Sequence, residues 1–184
     1  MADFAATRAM FYLPDGVIYL DGNSLGPVPR AAEARLAATL RQEWGDMLIA
    51  GWNKAGWMEQ PSRIGNRIAR LIGAEPGSVV LGDTLSIKVY QALAAALDLN
   101  ADRKVILSDS GNFPSDLYMA EGLVRSLGHG YALKVVAPGE VAGAIDACTA
   151  VLMLTEVDYR TGRKHDMAAL TARSEEHTSE LQSR

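Results

Sequence analysis

Val105-Ile106-Leu107-Ser108-Asp109-Ser110-Gly111-Asn112-Phe113-Pro114-Ser115-Asp116 is the stretch on which the fold turns. Its first three residues form an apolar run, which predicts a buried strand. From Leu117 to Leu127 the apolar residues recur at helical spacing. A strand that ends in a turn and opens a helix is where open α/β sheets hold ligands. The turn offers an aromatic face at Phe113, a fixed backbone at Pro114, a hydroxyl at Ser115 and a carboxylate at Asp116. Ser115 or Asp116 is expected to cap the helix, leaving its free N–H groups to face a ligand. Two readings stand for Asn112–Asp116: a plain cap turn with a buried Phe, or a ligand seat.

The same grammar repeats along the second half of the chain. Val79–Leu81, Lys104–Leu107, Ala132–Val136 and Ala150–Leu154 read as short strands. Helical patterns fall between them, over Ile87–Leu97, Leu117–Leu127 and Glu140–Ala147, and another begins at Met167. Short apolar runs alternating with helices imply a mostly parallel sheet with helices on both faces, an α/β fold.

The first half is less regular. Residues 1–13 carry scattered apolar residues suited to a docking helix or an arm. Val17–Leu20 is strand-like. Asp21-Gly22-Asn23-Ser24-Leu25-Gly26-Pro27 is a turn whose glycines permit positive φ or close approach to a ligand. It is either a bland loop or a site offering Asn23 and Ser24. Pro29–Trp44 and Pro61–Ile72 read as amphipathic helices, the second with Ile64, Ile68, Leu71 and Ile72 on one face and Arg63, Arg67 and Arg70 on a solvated or subunit-facing side. Between them, Trp52 and Trp57 lie in an expected loop, where they either anchor that loop or line a site for a flat ligand.

Composition narrows the function classes. The chain has 184 residues, 48% hydrophobic and 22% charged, with net charge −4. That is enough for a real core, and the absence of a basic block argues against nucleic acid as partner. No apolar stretch is long enough to span a bilayer, and no secretory leader is evident. The single cysteine, Cys148, forms no internal disulfide and fits a reducing cytoplasm. Residues 173–184, RSEEHTSELQSR, shift abruptly to polar character and read as a translated sequencing-adapter artefact.

Three polar turns meet the edge where the strands' carboxyl ends lie: Asp83–Ser86, Asn112–Asp116 and Thr155–Tyr159. Thr84, Leu85 and Ser86 begin a helix, so their N–H groups and hydroxyls suit a phosphate. A phosphate seat beside an aromatic lid fits a phosphorylated planar cofactor. His129, His165 and His177 lack metal-ligand spacing, so no metal is expected. A nucleophile elbow, a P-loop and a dinucleotide fingerprint are all missing.

Four longer motifs, IYLDGNSLGPVP, EWGDMLIAGWNKAGW, NFPSDLYMAEGL and LMLTEVDYRTGRKHDM, occur in this order. Together they resemble the front part of the bacterial kynureninase family, over about Phe11 to Ala172. That family consists of pyridoxal-5′-phosphate (PLP) hydrolases of the aminotransferase class V group, with the type I fold. The resemblance implies a truncated type I fold: residues 1–60 as arm, helix and substrate-side loops, and 61–172 as the first part of the PLP-binding large domain. It implies hydrolysis of L-kynurenine (or its 3-hydroxy form) to anthranilate and L-alanine, by a cytoplasmic homodimer. It places Leu85 and Ser86 at the PLP phosphate, Phe113 on the pyridine ring, and Pro114, Ser115 and Asp116 in the same loop. Thr155 falls beside the cofactor, and Ser24 and Trp52 face the substrate. Lys88, Glu156 and Asp158 depart from the commoner family pattern, which has Asn at the first position and His and Asn at the others. The family's Schiff-base lysine, the Asp partner of the pyridine nitrogen and a neighbouring His belong to a later segment, so no catalytic residue is assigned here. Another class V PLP enzyme, a cysteine desulfurase or an aminotransferase, and a non-catalytic domain built on a PLP fold are the alternatives.

Overall fold

The computed structural model describes residues 4–176; His177 and the rest of the polar tail lie outside the described residues. The chain divides into two compact units, with the boundary between Leu81 and Gly82.

In the first unit, α1 (Phe4–Ala9) leads into an antiparallel bridge between Phe11 and Pro29. The Arg30 guanidinium lies over the Tyr12 ring at 4.4 Å. Helix α2 (Arg30–Ala38) follows Pro29, whose fixed φ suits a helix entry. Where the sequence predicts one helix to Trp44, the chain widens into a π-helical segment over Thr39–Gly45. A 3-10 turn (Leu48–Ala50) leads to α3 (Gly51–Lys54), so Trp52 sits on a short helix and not in a loop. Helix α4 (Gln60–Ile72) buries only its small residues, Gly65 and Ala69; Leu71 and Ile72 are exposed.

Val17–Leu20 and Val79–Leu81 are not strands. An extended segment becomes a strand only by pairing with another, and these two pair with no strand among the described residues. Val79–Leu81 runs instead against α4. Leu81 N–H donates to the Pro61 carbonyl at 3.1 Å. A Cβ on Gly65 would stand 2.0 Å from the Val79 oxygen, so only glycine permits this approach. Neither Gly22 nor Gly26 adopts positive φ, the first of the two uses the sequence allowed them. Their turn is closed by side chains: Ser24 Oγ donates to Asp21 Oδ1 at 2.7 Å, and the Tyr19 hydroxyl donates to the Leu25 carbonyl at 2.6 Å.

The second unit is α/β. Helix α5 (Leu85–Leu99) precedes β1 (Val105–Asp109), α6 (Pro114–Leu127), β2 (Ala132–Val136), α7 (Val141–Ala144), β3 (Thr149–Leu152) and α8 (Met167–Glu176). The three strands are parallel, in the order β2-β1-β3. Adjacent residues of a strand face opposite ways. Ile106 joins Leu93 and Leu97 of α5 and Ala120 and Leu123 of α6 in the main core. Leu107, fully buried, turns to the other face, and α7 also packs on β1. Each such buried aliphatic side chain contributes about 1.5–3 kcal/mol. Helix α8 runs through Arg173 to Glu176, so its pattern does not break where the polar tail begins.

Candidate functional site

Strand order fixes where a ligand can sit. From β1 the chain crosses by α6 to β2 on one side, and β3 returns on the other side of β1. Right-handed crossovers then place the two connections on opposite faces and open a crevice at the carboxyl ends of β1 and β3. The turn after β1 and the residues after β3 line that crevice.

Asn112 joins the two strand ends. Its Nδ2 donates to Ser108 Oγ at 3.1 Å and points at the Met153 carbonyl at 3.4 Å. Its Oδ1 accepts from the Phe113 N–H at 2.8 Å and from Thr155 Oγ1 at 2.6 Å. Ser108 Oγ donates to the Met153 carbonyl at 2.7 Å. Buried polar groups need such partners, and here they are drawn from both strands.

The residue capping α6 is Phe113, with Pro114 at the first helical position; Ser115 and Asp116 lie one step further in and do not cap. The cause is Pro114, which has no N–H and a φ suited to the first turn. Phe113 is 47% exposed, which removes the reading of it as a buried residue. Asp116 is buried in the first turn, where the helix dipole favours a negative charge.

Over this turn lies a hairpin. Val157 and Lys164 pair antiparallel, and Asp158 N–H donates to the Arg163 carbonyl at 2.8 Å. The Tyr159 ring meets Phe113 edge-on, with centroids 5.0 Å apart. The Arg160 guanidinium lies 5.4 Å from the Tyr159 centroid and donates to the Ser110 carbonyl at 3.3 Å. The buried Asp158 accepts from the N–H groups of Arg160 and Thr161 at 2.8 and 3.0 Å. These bonds, the Arg160 one foremost, hold its carboxyl below its ordinary value. At the hairpin base, buried His165 bonds buried Asp109 at 2.6 Å.

The short link after Leu99 turns α5 back against β1, so its N-terminus faces the same edge of the sheet. Thr84 caps it, accepting weakly from Ile87 N–H at 3.4 Å. Leu85 and Ser86 follow with their N–H groups free of the helix ladder, as an anion requires. The Lys88 stem crosses Gly82, where a Cβ would meet Lys88 Cε at 1.8 Å, and its Nζ bonds Gln91.

In the first unit, Ser24 is held by Asp21, and Trp52 is 48% exposed with its edge-to-face partner Trp57 at 5.9 Å.

A kynureninase of Pseudomonas fluorescens is 54% identical over 177 residues, covering 94% of this chain and 42% of its own length. Kynureninases of Burkholderia pseudomallei and Burkholderia mallei are each 49% identical over 172 residues, covering 91% of this chain and 41% of theirs. On sequence, the chain is kynureninase-like. It spans about two fifths of the length of the curated relatives it matches. No family model matches it.

Of the residues that the kynureninase resemblance singles out, Phe113, Pro114, Ser115, Asp116 and Thr155 come together at the β1–β3 crevice, joined through Asn112. Leu85 and Ser86 lie at the α5 N-terminus on the same edge, while Ser24 and Trp52 belong to the other unit. Lys104, Lys134 and Lys164 are engaged elsewhere, with the His129 carbonyl, with Asp146 and with Glu156. Sequence reasoning passed over Asp109 and His165. The available signal was an aspartate directly after an apolar strand, a buried charge that needs a partner. It also left Tyr159 and Arg160 without a role; nothing in the local pattern places them against Phe113.

Proposed function

We propose that these residues are part of a PLP-dependent kynureninase that hydrolyses L-kynurenine, or its 3-hydroxy form, to anthranilate and L-alanine. The supporting observation is the 54% identity to a kynureninase over nearly the whole chain. PLP, when bound, supplies the electron sink for the carbon–carbon cleavage.

The residues present fit that group. The free N–H groups of Leu85 and Ser86, with the α5 dipole behind them, suit its dianionic phosphate. The exposed face of Phe113 suits its ring. Pro114, Ser115 and Asp116 line the turn beside that ring, and Thr155, tied to Asn112, borders it from the segment after β3. Ser24 and Trp52 face the substrate, Trp52 near its aryl ring. The lysine that holds the cofactor and its pyridine-nitrogen partner belong, on this reading, to the three fifths of the relatives that the chain does not match. The described residues contain no helix long and apolar enough to cross a membrane.

The test is a chimera. The matched portion of this chain replaces its counterpart in the Pseudomonas fluorescens kynureninase, and anthranilate release from L-kynurenine is followed by fluorescence. Activity is expected in the chimera and none in the 184-residue chain alone. A folded, PLP-loaded chimera without activity refutes the reading.

A further inference from the structure

The π-helical segment Thr39–Gly45 interrupts the helix that α2 begins. Such wide turns are rare and recur at functional sites. Here the segment delivers Glu43 to two partners. Arg35 Nη1 donates to Thr39 Oγ1 at 2.7 Å and pairs with Glu43 Oε1 at 2.6 Å. The other oxygen, Oε2, accepts from the Trp57 indole N–H at 2.8 Å. Each carboxylate oxygen thus has its own donor.

Trp57 is held from a second side. It lies under Gly51, which is buried, and a Cβ there would stand 2.9 Å from the indole Cη2. Any other residue at 51 displaces the ring. Trp57 then meets Trp52 edge-on at 82°, a favoured aromatic geometry. Trp52 leaves about half its surface open.

We propose that Glu43 is a positioning residue for Trp52. Through Trp57 it fixes the indole as a preformed wall against which an ortho-amino aryl ketone stacks. The inference rests on the reading that Trp52 faces the aryl ring of the substrate. A wall already ordered loses less freedom on binding, which strengthens the complex without adding a contact. The charge on Glu43 matters for Arg35; the acceptor oxygen matters for Trp57. A glutamine therefore retains the part of the device that reaches Trp52.

Two measurements on the 184-residue chain test this. The first is the exciton couplet of the Trp52–Trp57 pair in circular dichroism. It is expected in the wild type and in Glu43→Gln, and lost in Glu43→Ala. A couplet that persists in Glu43→Ala overturns the proposal. The second is binding of ortho-aminoacetophenone, read by quenching of tryptophan emission. Glu43→Ala should weaken it several-fold and Glu43→Gln should restore it; wild-type binding by Glu43→Ala also overturns the proposal. If Glu43→Ala unfolds the chain, Trp57→Phe carries the test. It keeps a ring but removes the N–H, and wild-type binding by it is equally fatal. Unchanged binding in Trp52→Ala instead refutes Trp52 as a substrate wall, and the couplet then still decides whether Glu43 positions the pair.

Discussion

The His165 imidazole meets the Asp109 carboxylate at 2.6 Å, with both side chains buried. At that distance one proton lies between Nε2 and the carboxylate, and Arg163 Nη2 stands 3.3 Å from the same nitrogen. The bond joins the last residue of β1 to the returning arm of the hairpin. Asp109 also accepts from the Gly111 N–H at 2.6 Å, so one carboxylate orders both the turn and the hairpin. A hydrogen bond to a charged group is worth about 1.5–3 kcal/mol. His165→Ala should lower stability by an amount of that order, measured by urea unfolding. It should also loosen the Tyr159–Phe113 contact, seen as altered ring-proton shifts of Phe113. A variant of unchanged stability would show the pair to be idle.

Gly111 sits between two carboxylates. A Cβ there would lie 2.7 Å from Asp158 Oδ2 and 3.0 Å from Asp109 Oδ1. Both aspartates are buried and bonded, so neither retreats without breaking a bond. Gly111→Ala should cost about 1–3 kcal/mol, the usual range for overpacking. Gly139→Ala, where a Cβ meets nothing within 4 Å, is the control. Equal melting temperatures for the two variants would refute the argument.

Asp158, Glu43 and Asp146 are carboxylates held below their ordinary values, and they set a pH dependence. Asp158 is held below its ordinary value chiefly by the Arg160 N–H, and Glu43 chiefly by its Arg35 bond and then by Trp57. A depressed folded value means that the stabilisation is present above the unfolded value. It is lost as pH falls through the folded one. Thermal stability should therefore hold from neutral pH down to the ordinary carboxylate range and decline below it. Asp158→Asn keeps the two backbone bonds but cannot titrate, so its decline should be shallower. An identical acid profile in wild type and Asp158→Asn would exclude this source. Trp44, Trp52 and Trp57 all lie in the first unit, so their emission reports the Glu43 part separately.

Phe113 supplies the open aromatic face beside the α6 N-terminus. Phe113→Ala should weaken binding of 4′-deoxypyridoxine 5′-phosphate, a PLP analogue that forms no imine, by about tenfold. That corresponds to an aromatic stacking contribution near 1.4 kcal/mol. Phe113→Tyr should bind nearly as wild type. Equal affinity for the alanine variant, measured by fluorescence titration, would remove Phe113 from the cofactor seat.

The second unit was largely legible in the sequence. Val105–Leu107 and Ala132–Val136 are apolar runs bounded by turns, and they became β1 and β2 with little change. The kynureninase motifs likewise led to relatives 49–54% identical. The first unit was harder to read. Val17–Leu20 and Val79–Leu81 have strand composition, but a strand needs a pairing partner, which local pattern cannot supply. Nothing in Thr39–Gly45 distinguishes a π-helical segment from an α-helix, since the difference lies in tertiary bonds such as Glu43 to Trp57. The capping expectation failed because Pro114 outranks Ser115 and Asp116 in setting where α6 starts. The Asp109–His165 bond spans residues 56 apart, beyond any short motif.

Asn112 has one further consequence. Its amide joins the end of β1 to Thr155, beyond β3, and to the first peptide of α6. The backbone that carries the Phe113 ring is thereby geared to the segment after β3. Conversion of this single amide to a carboxylate would replace a donor by an acceptor facing the Met153 carbonyl, and the gearing would slip. The aromatic face thus depends for its aim on a residue that need not touch a ligand.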